Sequence, residues 1–260
     1  MFVDFLGFRA AAQQEDETQR MKLLSVLRSL SALQGEFAAT VTVHESGTAY
    51  YVKPTISTFS DHIVISYPLH SIKEQMELPD DADESTLVVY HLQQLLGSIA
   101  AAALRIGFLI RGAATIANLY HSGGVVFGPA LVEAYELERK TAVYPRVVVS
   151  SRVMMKRSQW LKNGIVFCKE DDGLFCIDFY KTMLFLGPQH GPRHSSKLKI
   201  WFADIISILQ RNITSLERAG KLDELAKWSW FARRYRAAIG SIPEGTRVAL
   251  DLPLEKIPFG

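Results

Sequence analysis

Apolar residues first cluster at Phe2-Val3-Asp4-Phe5-Leu6, a run broken by one carboxylate and ended by Gly7, which predicts a buried strand leaving its sheet at a tight turn. Between residues 15 and 33 the period changes: Met21, Leu24, Leu27 and Leu30 recur at helical spacing, and Gly35 closes the segment. Residues 37–45 and 50–59 are rich in Thr, Val, Tyr and Ile, as strands are, with Pro54 making the second irregular or an edge. That run continues through Ser60-Asp61 into Ile63-Val64-Ile65-Ser66-Tyr67, so a hairpin with Asp61 at its turn is expected. An acidic loop over 80–84 caps a long, largely buried helix over 85–104. Residues 108–119 and 124–127 then read as strands joined around Ser122-Gly123-Gly124, 130–140 as a helix, and 146–150 as a strand.

Strand, helix, hairpin, helix, strand pair, helix, strand is an α+β order, with helices packed on one mixed sheet. After Ser150 the pattern changes to a helix near 152–161, strands near 165–167 and 175–180, a Gly/Pro-containing loop over 187–196, and a helix from 197 towards 219. A last helix over 221–237 carries Trp228, Trp230 and Phe231 before an irregular tail. The change divides the chain into a domain over 1–150 and an extension over 151–260.

Composition narrows the class. Of 260 residues 48% are hydrophobic and 22% charged, which excludes a disordered chain. A net charge of +2 gives no electrostatic reason for nucleic acid. The run over 95–110 is interrupted by Arg105 and falls short of a membrane span. Met1-Phe2-Val3-Asp4 lacks the basic, apolar start of a secretory signal, and Cys168 and Cys176 read as two buried thiols, so a reducing, cytoplasmic setting is expected.

Asp4 and Asp61 each interrupt an apolar, strand-like run, where a charge needs compensation; metal binding is one such compensation, and turn capping is the plainer alternative. If the first strand and the hairpin are neighbours, the two carboxylates can share Mg²⁺ or Mn²⁺ with open positions left for a nucleotide. His190 and His194 have metal-compatible spacing but no third ligand nearby and read as a loop. Gly123-Gly124 lacks the ending of a phosphate loop and reads as a turn, and the Trp228, Trp230 and Phe231 set with Arg233, Arg234 and Arg236 reads as one amphipathic packing helix.

Phe-Val-Asp4-Phe-Leu-Gly7-Phe8 resembles the first metal strand and phosphate turn of class III nucleotidyl cyclases, and Ser60-Asp61 their second metal hairpin, usually Gly-Asp. Ile110-Arg111-Gly112-Ala113, then Phe127-Gly128-Pro129-Ala130-Leu131-Val132-Glu133-Ala134-Tyr135-Glu136-Leu137-Glu138 to Tyr144-Pro145-Arg146-Val147, is similar to the segment supplying the facing half of their site. The nearest resemblance is to the bacterial pyrimidine cyclases of the Pycsar anti-phage systems, shared also in an Asp172-Gly173 turn of the C-terminal extension.

The resemblance implies a mainly antiparallel mixed sheet flanked by helices, with a C-terminal α/β extension that supports a dimer. It implies conversion of UTP to 3′,5′-cyclic UMP and pyrophosphate with two divalent ions. Asp4, Asp61 and the Phe5 backbone carbonyl would be metal ligands, and the N–H groups of Leu6, Gly7 and Phe8, with Arg9, would hold the phosphates. At the base, purine cyclases place a Lys or Glu where this chain has Ser57, and the pyrimidine cyclases' Tyr matches Tyr50, with Tyr51 beside it and the choice between them open. Val132 and Glu136 replace the transition-state Asn and Arg of mammalian-type cyclases; Arg111 or Arg139 would supply the lost charge, with a structural ion pair the plainer role for Arg111. A homodimer completes the site, and a separate effector reads the messenger. CTP or ATP as substrate, or a silent nucleotide-binding domain, are the alternative readings.

Overall fold

The computed structural model describes residues 1–8, 39–42, 49–69, 84–155, 166–185 and 195–258, together with positions 12, 17, 18, 20, 21, 24, 25 and 28. In chain order the strands and helices are β1 (Phe2–Leu6), β2 (Ala39–Thr42), β3 (Ala49–Val52), β4 (Thr55–Phe59), β5 (His62–Ser66), α1 (Glu84–Arg105), β6 (Leu109–Ala114), β7 (Tyr120–Ser122), β8 (Val125–Phe127), α2 (Pro129–Thr141), β9 (Val147–Val149), α3 (Ser151–Met155), β10 (Phe167–Lys169), β11 (Phe175–Ile177), α4 (Tyr180–Phe185), α5 (Ser195–Arg218), α6 (Leu222–Gly240) and α7 (Glu244–Leu250). Seven of the strands form one mixed sheet in the order β10-β11-β9-β6-β1-β5-β4. Every neighbouring pair is antiparallel except β6 with β9. The fold is thus α+β, with a mainly antiparallel sheet flanked by helices.

Alternation along β1 assigns its two faces. Val3 and Phe5 join Ile63, Ile65 and Ile110 in the main core, against Leu92, Leu95, Leu96 and Ile99 of α1 and the aromatic residues Trp201, Phe231 and Tyr235 of α5 and α6. Phe2 instead meets Val64 and Ala134 under α2. Asp4 is even-numbered like Phe2, so it lies on the α2 face.

Several boundaries differ from the sequence expectations for identifiable reasons. The strand expected over 50–59 is two strands, because Pro54 has no N–H for a ladder; among the described residues β3 pairs with β2, and β4 is the edge of the large sheet. The strand expected over 108–119 ends at Ala114, whose carbonyl is taken by the Ser150 N–H. Asn118 then gives its carbonyl to Ala130 at the start of α2, and residues 120–127 form a separate hairpin whose turn, Gly123-Gly124, has both φ angles positive. The strand expected to reach Tyr180 stops at Ile177 because the Asp178 carboxylate accepts the Tyr180 N–H and opens α4. The tail after 237 is not irregular throughout: α6 runs to Gly240 and α7 follows.

The division drawn at residue 150 falls inside one sheet and one core. Cys176 of β11 pairs with Val148 of β9, and buried Arg146 reaches Asp172 of the Asp172-Gly173 turn at 2.5 Å. Trp228 and Phe231 are buried, Trp230 stacks on Tyr144, and Arg234 pairs with Glu170 at 3.0 Å, so α6 is a packing helix. Cys168 and Cys176 are free thiols opposite one another, and burial pushes the Cys168 thiol up to about 12. Among the described residues no helix is long and apolar enough to cross a membrane.

Candidate metal centre

Register puts the chemistry in one row across the sheet. Asp4 faces His62 of β5 on one side and Arg111 of β6 on the other, and His62 in turn faces Phe59 of β4. Directly opposed residues share a face, so all four side chains emerge under α2. Asp61 lies in the two-residue turn Ser60-Asp61, which frees its side chain from strand alternation, and its carbonyl accepts the Phe5 N–H at 3.1 Å. That hydrogen bond pins the turn beside β1. Ser60 holds φ at 54°, a left-handed conformation that a glycine adopts at less cost.

Asp4, Asp61 and His62 therefore converge, and one ligand atom from each lies within 4.8 Å of the others. His62 Nδ1 stands 3.1 Å from Asp61 Oδ1, and its Nε2 stands 3.8 Å from Asp4 Oδ1. Asp4 is only 6% exposed and Asp61 is half-buried. Two hard carboxylates converging on one point, one of them almost desolvated, are a donor set that suits a divalent cation.

The other oxygen of Asp4 is already held. Arg111 Nε donates to Asp4 Oδ2 at 2.7 Å and lies equally close to Glu138 Oε1 of α2. One N–H cannot point at both, and the hydrogen bond goes to Asp4. Glu138 Oε1 is left buried beside the cation without a hydrogen bond among the described residues. Burial, partly offset by Arg111, holds the Glu138 carboxyl above its ordinary range. The structural ion pair expected of Arg111 is thus formed with the candidate metal ligand itself.

Of the remaining site residues, Leu6 ends β1, Gly7 takes a positive φ of 94° and Phe8 is helical. Arg9 lies outside the described residues. Tyr50 and Tyr51 belong to β3, opposite Val41 and Thr40 in the two-stranded sheet, and their side chains are outside what is described. Ser57 shares the α2 face, opposite Val64, and is hydrogen-bonded to His121 Nε2 at 2.8 Å, while His121 Nδ1 meets Ser66 Oγ at 2.8 Å. Burial holds His121 below its ordinary value, so at neutral pH one ring nitrogen donates and the other accepts. Val132, Glu136 and Arg139 are exposed on α2, and His190 and His194 lie outside the described residues.

His62, Glu138 and His121 were not foreseen. Glu138 had a signal: with Ala130 and Ala134 it completes an i, i+4, i+8 stripe that is the buried face of α2, where a carboxylate is out of place. His62 follows Asp61 directly, but its meeting with Asp4 depends on strand register. No family model, curated protein or solved structure matches the chain.

Proposed function

We propose that the chain is a nucleotidyl cyclase of the class III kind, converting UTP to 3′,5′-cyclic UMP and pyrophosphate as a messenger in anti-phage defence. The observation that carries this reading is the convergence of Asp4 and Asp61, from the two segments that resemble the metal-binding segments of those cyclases. Asp4 Oδ1, Asp61 and the Phe5 carbonyl would hold two divalent ions, Mn²⁺ or Mg²⁺. Bound there, the ions would supply charge neutralisation on the 3′-oxygen and on the departing pyrophosphate.

The protein's own groups set the geometry. Arg111 holds Asp4 Oδ2 in an ion pair and so fixes the carboxylate's orientation, leaving Oδ1 on the His62 side. The positive-φ turn at Gly7 would present the Leu6, Gly7 and Phe8 N–H groups to the β- and γ-phosphates. The ribose 3′-oxygen attacks the α-phosphorus, the bond to the β-phosphate oxygen breaks, and the 3′-hydroxyl proton leaves to solvent. Ser57, a short hydroxyl oriented by His121, and Tyr50 would meet the pyrimidine. Phe59, beside His62, and Val132 and Tyr135 of α2 are exposed apolar side chains that a second copy would cover in a homodimer. A cytoplasmic enzyme acting through a separate cyclic-UMP-binding effector completes the proposal.

Substitution by Asn tests it: Asp4→Asn and Asp61→Asn are each expected to lower UTP turnover at least about 100-fold while the far-ultraviolet spectrum is kept. The rival reading, a nucleotide-binding domain without turnover, draws on exposed Val132 and on Glu136, bonded to Lys140 at 2.9 Å, where an Asn and an Arg would stand. Nucleotide bound without product from UTP, CTP, ATP or GTP would favour it.

A further inference from the structure

We propose that His62 is a third metal ligand and that it makes this centre select Mn²⁺ over Mg²⁺. The proposal rests on the metal-carboxylate part of the reading above and not on the nucleotide. Three observations carry it. His62 is locked opposite Asp4 by strand register, so its imidazole shares the row and the face of the carboxylate. Its ring is clamped between Phe2 and Phe59, with centroids 4.9 and 5.6 Å away, which fixes the plane in which its nitrogens point. Its Nε2 stands 3.8 Å from Asp4 Oδ1, beyond hydrogen-bond length, while Nδ1 stands 3.1 Å from Asp61 Oδ1.

Ligands of one octahedral ion lie about 3 Å apart when adjacent and about 4.2 Å apart when opposite, and the three residues each offer a donor atom within 4.8 Å of the others, so small side-chain adjustments would close them on one ion. If Nε2 ligates, Nδ1 remains toward Asp61 Oδ1, which orients the imidazole and leaves the other Asp61 oxygen for the ion. Arg111 occupies Asp4 Oδ2 and leaves Oδ1 as the oxygen on the His62 side. A nitrogen donor adds little for Mg²⁺, which prefers oxygen and water, and more for a first-row transition ion; with two carboxylates beside it the set suits Mn²⁺.

The experiment is pulsed paramagnetic resonance of Mn²⁺ bound to the full chain, with and without 3′-deoxyuridine triphosphate, compared with His62→Phe, which keeps the ring and removes both nitrogens. Imidazole nitrogen coupling in the wild type and its loss in His62→Phe are expected. Mn²⁺ affinity in the variant should fall at least about tenfold while Mg²⁺ affinity stays within about twofold. Bound Mn²⁺ that depends on Asp4 and Asp61 but shows no nitrogen coupling would overturn the role of His62 and leave the carboxylate site standing. No bound Mn²⁺ in either arm, in a folded wild type, would overturn the metal site as well. Nitrogen coupling with equal Mn²⁺ and Mg²⁺ affinities would overturn the selectivity.

Discussion

A carboxylate in the middle of a sheet needs something to offset its lost hydration, and Asp4 has Arg111 on one flank and His62 on the other. Arg111 serves two acids at once, so Arg111→Met should leave Asp4 and Glu138 buried without their cation and cost about 3 kcal/mol, read as a lower urea midpoint. Pairing that change with Glu138→Gln should recover part of the loss, because one of the stranded charges is then gone. At the turn, Ser60→Gly should stabilise the chain by about 0.5 kcal/mol, the relief of a left-handed serine less the extra chain entropy of glycine. At this scale the two aspartates were legible because each breaks an apolar run, whereas His62 was hidden in a hairpin sequence and acquires meaning only from the partner strand.

Elements were legible where one physical signal dominates. The buried strand β1, the long helix α1 expected over 85–104 and the helix α2 expected over 130–140 all form within a residue or so of those bounds. Strand ends did not, because they are set by which carbonyl finds which N–H: Ala114 is capped by Ser150, and Asn118 serves α2 rather than a ladder. The approach of β1 to β6 gives an element-level prediction. A Cβ on Gly112 would stand 2.4 Å from the Phe2 carbonyl and 3.2 Å from Val3 Cα, so Gly112→Ala must force the central strands apart. A loss of about 3 kcal/mol is expected in chemical denaturation, with the metal site weakened because Asp4 and Arg111 lie on those two strands.

On the scale of the whole molecule, composition and element order were sufficient for an α+β fold but not for its unity. The change of pattern after Ser150 is real, yet β11 pairs with β9 and the main core runs from Val3 to Ile257. Contacts distant in sequence leave no local mark. Residues 1–150 alone should therefore show no cooperative thermal transition, and a sharp one would mean that the sheet is complete without β10 and β11. The core also carries a pH dependence. His91, 2% exposed and hydrogen-bonded to Tyr67 at 2.9 Å, is lowered by burial from 6.5 to about 4, so below pH 6.5 the unfolded chain binds the proton that the folded chain refuses. About 3 kcal/mol of stability, full above pH 6.5, should be lost progressively as pH falls to about 4. His91→Gln should flatten that slope in urea titrations at several pH values.

The proposed role of Asp4 and Asp61 is a metal-dependent cyclisation of a pyrimidine nucleotide. Its most direct measurement is mass-spectrometric product analysis after incubating the purified chain with UTP, CTP, ATP and GTP in parallel with Mn²⁺, beside an Asp61→Ala control. 3′,5′-Cyclic UMP and pyrophosphate are expected from UTP and absent in the control. Silence with all four nucleotides from a folded, dimeric protein, or a cyclic product that persists in Asp61→Ala, would contradict it.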